Sequence, residues 1–418
     1  MQSKLRAARL ALGYQSQKAL AAALNRKAQD MGLRISVDPR SVRRWESPES
    51  PWPQPDHAAA LEALLGRPLS ELGFSPARGS AAADPAYSTS SGPRETWAAR
   101  HAGTSASALP QSIATDFMSS TAAHRRMYWS VPAARLQRLV SEHAALGWDL
   151  LHQVPGAAKP LMARAVAESS LLAGRLEFFD LQQPDLSQPS FELAHRAAFE
   201  ADDSLLGSAI QAHMAFAPAF SGDPDQAELA RDKLRSARTF ARRGDASFEM
   251  LAWLDAVEAE VETRAGDTQR ALALLQHAED TYAQYDPETD ASPPWLDWFS
   301  PARLAGFRGN TQLIAGQSAA ARETLERALA GLPGDALKQR AIYHADLAAV
   351  AVLDRDPTTA CIDLEKALEL LGQHWYATAM DRVKSVRQSL REWDVLPQVR
   401  ALDDQLYSWH TTIKSLAR

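Results

Sequence analysis

The sequence predicts an all-α protein, in which a small N-terminal domain precedes a long array of helices. Apolar residues recur at intervals of three and four along most of the chain, which is the period of an amphipathic helix. Turns rich in Gly and Pro separate these stretches, and no segment shows the alternating pattern of a convincing strand. A chain of 418 residues with 45% hydrophobic content can bury a large core, and its length predicts two or three domains.

The N-terminal part of the chain predicts four short helices. Residues 3–12 place apolar side chains at helical spacing and are followed by Gly13, a good helix-terminating residue. Ser16 can cap a second helix that continues through Leu24. After the third helix, the Pro-rich stretch SPESPWPQP delays the fourth helix until Asp56.

The third helix organises this region. Asp38 is a typical helix start, because its carboxylate can accept the free amides of the first turn, and Pro39 fits the first helical position. Val42 and Trp45 then share one apolar face. The opposite face carries Arg40, Arg43 and Arg44. This pattern fits two interpretations, a surface helix with solvated arginines or a helix that reads DNA.

Charge is divided unequally along the chain, which favours the second interpretation. Residues 1–45 contain ten Lys or Arg and two acids, an excess of eight positive charges. Because the whole chain has a formal charge of −6, residues 46–418 carry −14. A basic N-terminal segment on an otherwise acidic chain is expected when one small domain binds nucleic-acid phosphates.

The segments LRAARLALGY, SQKALAAAL, SVRRWESP and ALEALLGRPLSEL resemble the helix-turn-helix domain of XRE, or Cro/C1-type, regulators over about the first 74 residues. The resemblance implies that the residue at the start of helix two binds phosphate, that residues early in helix three read base edges, and that Trp45 and Glu46 close helix three. With Lys18, which is exposed in the first turn of helix two, the candidate DNA-binding residues are Gln17, Lys18, Pro39, Arg40, Ser41, Arg43 and Arg44.

One departure from that family lies between helices two and three. The usual turn of about four residues is stretched here over residues 25–35. Helix two either extends to Asp30 or is followed by a protruding loop. In both cases the two helices need not keep the family's tight angle, which affects the predicted register on the bases.

Residues 75–111 are rich in Ser, Ala, Gly and Pro and predict a flexible linker between a domain of residues 1–74 and a body of residues 112–418. Within the body, turns recur about 40 to 50 residues apart, each before a helix with Ala at close-packing sites. They are Gly222-Asp223-Pro224, Gly266-Asp267, Gly316-Gln317 and Arg355-Asp356-Pro357. This spacing resembles degenerate tetratricopeptide repeats, and so predicts an α-solenoid of helical hairpins.

The body also resembles that of actinobacterial XRE-family regulators, through WFSPARLAGFRGN, KQRAIYHADLAAVAV and LEKALELLGQHWYATAMDRV. The resemblance implies a role in development or antibiotic production and a signal, such as a peptide, bound in the repeat groove. The candidate groove residues are Trp253, Trp295, Asp297, Trp298, Arg303, Arg308, Asn310, Tyr343 and His344. The alternative for each tryptophan is a core position between helices.

Enzyme motifs are absent from the sequence, since it has no Gly-rich phosphate loop, HExxH, CxxC or Gly-x-Ser-x-Gly. We therefore expect no catalytic residues, metal site or cofactor. The single cysteine, Cys361, has apolar neighbours and predicts a buried thiol in a reducing cytoplasm. No run of about 18 apolar residues occurs, so no membrane association is expected.

Together these patterns predict a cytoplasmic transcriptional regulator that binds double-stranded DNA. We expect a homodimer, since two half-sites require a twofold axis, with its contact in residues 113–418. We also expect a peptide or small amphipathic ligand in the repeat domain. The alternative is a protein-interaction scaffold whose N-terminal module contacts a protein partner instead of DNA.

Overall fold

The computed structural model describes residues 4–31, 35–47, 55–65 and 109–416, with isolated residues at positions 53, 67, 69, 71, 72 and 74. These residues form helices and turns, and no strand occurs among them. The predicted all-α class is confirmed. The chain divides into two compact units, Met1–Thr96 and Trp97–Arg418, and each is described by itself. Residues 75–108 of the predicted linker lie outside the described residues.

The N-terminal unit contains the four predicted helices. They are α1 (Lys4–Ala11), α2 (Gln17–Asp30), α3 (Pro39–Trp45) and α4 (Pro55–Leu65). Ser16 caps α2 by accepting a hydrogen bond from the backbone nitrogen of Ala19, and Gly13 adopts a φ of 83° where the chain leaves α1. Side chains from all four helices form one core, which includes Leu5, Leu20, Leu24, Val42, Trp45 and Leu61.

The body continues with further helices. They are α5 (Ser112–Met127), α6 (Ala133–Leu150), α7 (Lys159–Arg175), α8 (Pro184–Glu200), α9 (Ser204–Met214), the short α10 (Phe216–Ala219), α11 (Ala227–Arg243), α12 (Phe248–Arg264), α13 (Thr268–Tyr282), α14 (Pro301–Ile314), α15 (Ser318–Gly331), α16 (Leu337–Leu353), α17 (Pro357–Gln373), α18 (Ala377–Ser389) and α19 (Pro397–Leu416). One π-helical turn, Leu176–Asp180, follows α7, and 3₁₀ turns lie at Pro224–Gln226 and Leu390–Trp393.

Successive helices pack as hairpins, in the pairs α7 with α8, α9 with α11, α12 with α13, α14 with α15 and α16 with α17. A residue with positive φ lies in the turn within every one of these pairs. They are Gln182, Gly222, Gly266, Gly316 and Arg355. The predicted repeating turns are therefore present, and a fifth at Gln182 lacks the glycine or aspartate signal that marks the others. The left-handed conformation lets the chain reverse direction within a few residues.

The two helices of a hairpin are buried differently. The second helices bury a single stripe, as in α13, where Ala271, Leu275 and Ala278 lie inside. The first helices are covered on most sides, and α12 buries Trp253, Asp255 and Glu260 as well as its apolar residues. Because the first helices pack against their own partners and also against one another, in the pairs α7 with α9, α12 with α14 and α14 with α16, they line the inside of the array.

The array also closes on itself. The Lys338 ammonium, at the start of α16, donates to the Tyr128 carbonyl oxygen at 3.0 Å and pairs with the Asp180 carboxylate at 2.5 Å. The Thr378 hydroxyl of α18 donates to the Phe179 carbonyl oxygen at 2.7 Å. These contacts join the first helices of the body to its last ones, so the concave face forms the wall of a cavity where an open groove was expected.

Candidate functional site

Helix α3 has the predicted bounds and the predicted division into faces. The Asp38 carboxylate accepts a hydrogen bond from the Ser41 backbone nitrogen at 2.7 Å, and this bond lowers the pKa of Asp38. Val42 and Trp45 are buried, whereas the three arginines are exposed. No ion pair or side-chain hydrogen bond joins Arg40, Arg43 or Arg44 to another described residue. The N-terminal unit thus presents three cations whose charge is available to an anionic partner.

A buried carboxylate fixes α3 in place. Glu46, directly after α3, accepts from Arg9 Nε at 2.7 Å and from Gln17 Nε2 at 2.8 Å. Arg9 also donates to the Tyr14 carbonyl oxygen at 2.7 Å. Gln17 therefore supports the end of α3 and still has a second amide hydrogen, so its phosphate contact stays a prediction. Lys18 beside it is exposed.

The lengthened connection before α3 is held by Asn25. This residue lies inside α2, which extends to Asp30, and so does not begin a loop. The Asn25 side chain donates to the Val37 carbonyl oxygen at 2.9 Å and accepts from the Val37 nitrogen at 2.7 Å. Because Val37 lies just before the cap of α3, this pair fixes where the helix begins. Residues 32–34 lie outside the described residues.

The second candidate site is a cavity of about 110 Å³ inside the body. Its walls come from first helices of the hairpins and from the elements that close the array. The residues that line it include Tyr128, Arg175, His213, Trp253, Trp298, Arg303, Asn310, Gln339 and Tyr343. A π-helical turn adjoins the cavity and contributes Phe179 to its wall. Such turns are rare and occur frequently at functional sites.

Five of the nine predicted groove residues line this cavity: Trp253, Trp298, Arg303, Asn310 and Tyr343. Trp295 lies outside it, stacked on Trp298 with ring centroids 5.7 Å apart, so the core interpretation applies to this tryptophan. The other three form pairs elsewhere. Asp297 binds Arg125 at 3.0 Å, Arg308 binds Glu279 at 2.6 Å and His344 binds Asp363 at 3.0 Å. These pairs give the three side chains structural partners.

Sequence reasoning missed Arg175, the most informative residue of the wall. Its side chain is 5% exposed, and its guanidinium carbon lies 4.8 Å from the ring centre of Tyr128 and 4.2 Å from that of Trp298. No described residue forms an ion pair with it. A signal was present, because Arg175 is the single charged residue of the apolar run LLAGRL.

Several polar atoms in the wall lack partners. Asn310 Oδ1, Gln339 Oε1 and Trp298 Nε1 are buried without a hydrogen-bond partner among the described residues. His213 Nδ1 lies 2.8 Å from the Ala209 carbonyl oxygen, and burial lowers the pKa of His213 to about 3. The imidazole is therefore neutral near pH 7 and adds no charge. Unsatisfied buried amides are uncommon in folded proteins and indicate a site that a ligand or water completes.

Other groups that the sequence singled out are structural. Cys361 is buried, as predicted, and burial raises the pKa of its thiol.

The described residues contain no group of three or more His, Cys, Asp or Glu side chains placed to hold a metal ion. Among the same residues, no helix has both the length and the apolar character needed to cross a bilayer.

The comparisons with known proteins concern the N-terminal unit alone. A family model described as the SP15 N-terminal domain matches residues 6–75, which include most of α1 and all of α2 to α4. No curated protein and no solved structure matches the chain. Over residues 6–75 the chain is similar to the SP15 N-terminal domain.

Proposed function

We propose that the protein is a sequence-specific, DNA-binding transcriptional regulator, dimeric in its active form and modulated by a ligand in the body. The observation that carries this proposal is α3, a short helix with three exposed arginines and no described partner for any of them. A helix that docks in the major groove needs such donors, because Arg pairs bidentately with guanine and with phosphate.

The anchoring of α3 supports the same proposal. Base readout requires a helix held at a fixed angle, and here Glu46 connects the end of α3 to Arg9 of α1 and to Gln17 of α2. Asn25 fixes the start of the segment through Val37. A helix with merely solvated arginines would not need this degree of fixation at both ends.

The test is selection from a random duplex pool with the full chain, followed by gel-shift titration on the enriched sequence. We expect one palindrome with half-sites about one helical turn apart, and affinity that falls with salt at a log-log slope near −5 for about six phosphate contacts. The triple variant Arg40→Ala/Arg43→Ala/Arg44→Ala should lose binding. A charge-matched control, Arg126→Ala/Arg135→Ala/Arg391→Ala, removes three exposed arginines of the body and should retain it.

Failure to enrich any sequence, or equal affinity of the two triple variants, would contradict the proposal and favour the scaffold interpretation. The dimer is tested separately by light scattering on the full chain at micromolar concentration. A monomer that still binds the palindrome with full cooperativity would place the twofold contact on the DNA and not in residues 113–418.

A further inference from the structure

We propose that the cavity of the body binds a small carboxylate with an apolar, ring-sized body, and that Arg175 is the anchor of its carboxylate. This inference deepens the proposed function by naming the class of ligand. It rests on that function only for the link between ligand binding and DNA binding, since the cavity lies wholly within the body.

The guanidinium of Arg175 is buried without an ion pair to a described residue. Two acids lie within electrostatic range of it, but neither forms an ion pair with it: Asp180 pairs with Lys338, and Asp297 pairs with Arg125, which also binds Glu168 at 2.6 Å. The remaining acid of the wall, Glu260, is held by Arg264 at 2.9 Å. The direct contacts of the Arg175 guanidinium are therefore the faces of two aromatic rings, which compensate a buried cation in part only.

A second cation lies in the same wall. Arg303 of α14 is partly exposed and forms no ion pair with a described residue. The third arginine of the wall, Arg382, is paired with Asp346. The cavity thus has two guanidinium groups that form no ion pair with a carboxylate of the described residues, and an anion is the group that would pair with them.

The shape and lining define the rest of the ligand. Aromatic rings form most of the wall, and these include Phe216, Phe220, Trp253, Trp298, Phe299 and Phe307. A cavity of about 150 Å³ in another protein holds benzene, so the 110 Å³ found here limits the ligand to a single ring at most and excludes a folded peptide or a nucleotide.

The unsatisfied amides add a preference within this class. Asn310 Oδ1 and Gln339 Oε1 are acceptors without donors, so a ligand that also carries an O–H or N–H group should bind better than one that lacks it. A small aromatic acid with a hydroxyl or amino substituent meets all three requirements, namely the anion, the ring and the donor.

The experiment uses the full chain and three probes: benzoate, phenylacetate and 4-hydroxyphenylacetate, with benzamide and phenylacetamide as neutral controls. Thermal unfolding and tryptophan fluorescence are measured with each probe at millimolar concentration. We expect the acids to raise the melting temperature of the wild type by about 2 °C or more and to change its tryptophan emission, with little response to the amides.

Arg175→Met should lose the response to all three acids while its melting temperature without ligand stays equal to that of the wild type or higher, because the buried charge is gone. Arg308→Met, a matched variant outside the cavity, should respond as the wild type does. Asn310→Ala should keep the response to phenylacetate and lose the added response to 4-hydroxyphenylacetate, which gives a second test that does not depend on Arg175→Met folding.

The inference is overturned if no acid changes the wild type, if the amides act as strongly as the acids, or if Arg175→Met responds like the wild type. DNA affinity of the same variants without ligand separates this outcome from failure of the proposed function. Arg175→Met that binds the selected palindrome but no acid supports both proposals, whereas a wild type that responds to the acids but binds no DNA leaves the cavity proposal intact and contradicts the DNA proposal alone.

Discussion

The two units hold unpaired arginines under opposite conditions. On α3 the three guanidinium groups are exposed, so water solvates them and an unpaired state costs little. In the body Arg175 is 5% exposed and has lost most of its water, so it depends on the rings of Tyr128 and Trp298. An exposed cation is accessible to a large polyanion. A buried cation can pair only with a small anion whose shape fits the cavity around it.

Paired buried charges play the same part in both units. Glu46 joins three helices of the N-terminal unit, and Asp180 with Lys338 joins the two ends of the array. In each unit, therefore, the paired charges position the structure, and we propose that the unpaired ones bind a partner. The predictions below test this division, starting with the largest expected effect.

Removal of the cation from a buried ion pair should lower the free energy of unfolding by a large amount. Glu262 is fully buried, and Arg231 binds both of its oxygens, at 2.9 and 2.7 Å. Arg231→Ala should lower the free energy of unfolding of the body by about 3 to 5 kcal/mol, because it leaves a buried carboxylate with only a weaker contact to Arg270. Denaturant unfolding measures this. Arg235→Ala, which removes an exposed arginine one turn further along α11, is the control, and similar effects of both variants would contradict the division.

The corresponding change in the N-terminal unit is Glu46→Ala. The side chains of Glu46 and Arg9 are 6% and 5% exposed, so loss of the carboxylate should destabilise this unit by about 3 kcal/mol. Hydrogen exchange should become faster in α2 and α3 and stay unchanged in the body. Glu71→Ala, at an exposed position, is the control, and unchanged exchange in the Glu46 variant would show that this carboxylate does not hold α3.

Single changes on the exposed face should affect DNA binding and leave stability unchanged. Arg43→Ala should cost about 1 to 3 kcal/mol of binding free energy and relax the preference at one base position, whereas Lys18→Ala should weaken all sequences alike. Gel-shift titrations on the palindrome and on its single-base variants distinguish the two. If both variants change all sequences equally, α3 does not read bases.

The smallest effect concerns the cap of α3. A hydrogen bond from the Ser41 nitrogen lowers the pKa of Asp38 below its ordinary value of 3.8. The carboxylate therefore stabilises the helix above about pH 3.8, and this contribution is lost as the pH falls through the lowered pKa. Asp38→Ala should speed exchange of the α3 amides about fivefold at neutral pH, and Asp38→Ser, which keeps a capping oxygen, should not. Equal exchange in the two variants would contradict the cap.

The sequence allowed much of the fold to be predicted where the signals are local. Asp38 and Pro39 mark the start of α3 within two residues, and the glycines at positions 222, 266 and 316 mark reversals of the chain that need a left-handed conformation. The turn at Gln182 was missed because its side chain gives no such signal. Conversely, the extension of α2 to Asp30 was left open, since the bonds that Asn25 makes to Val37 depend on a contact 12 residues away.

The cavity could be predicted only in part. Trp253 and Asn310 can be predicted as polar or aromatic residues in or beside first helices, but the same reasoning selects Arg308 and His344, which have partners from other helices. Whether a polar side chain is paired depends on residues far along the chain. The closure of the array, through contacts such as that between Lys338 and Tyr128, spans 210 residues and has no local signature.

The central claim is that the exposed arginines serve DNA and the buried one serves a ligand. The most direct test is one titration of the selected palindrome, without ligand, with the wild type, with Arg40→Ala/Arg43→Ala/Arg44→Ala and with Arg175→Met. The account predicts that the triple variant loses at least about a hundredfold in affinity, while Arg175→Met binds as the wild type does. A triple variant with wild-type affinity, or an Arg175→Met variant that folds but no longer binds, would contradict it.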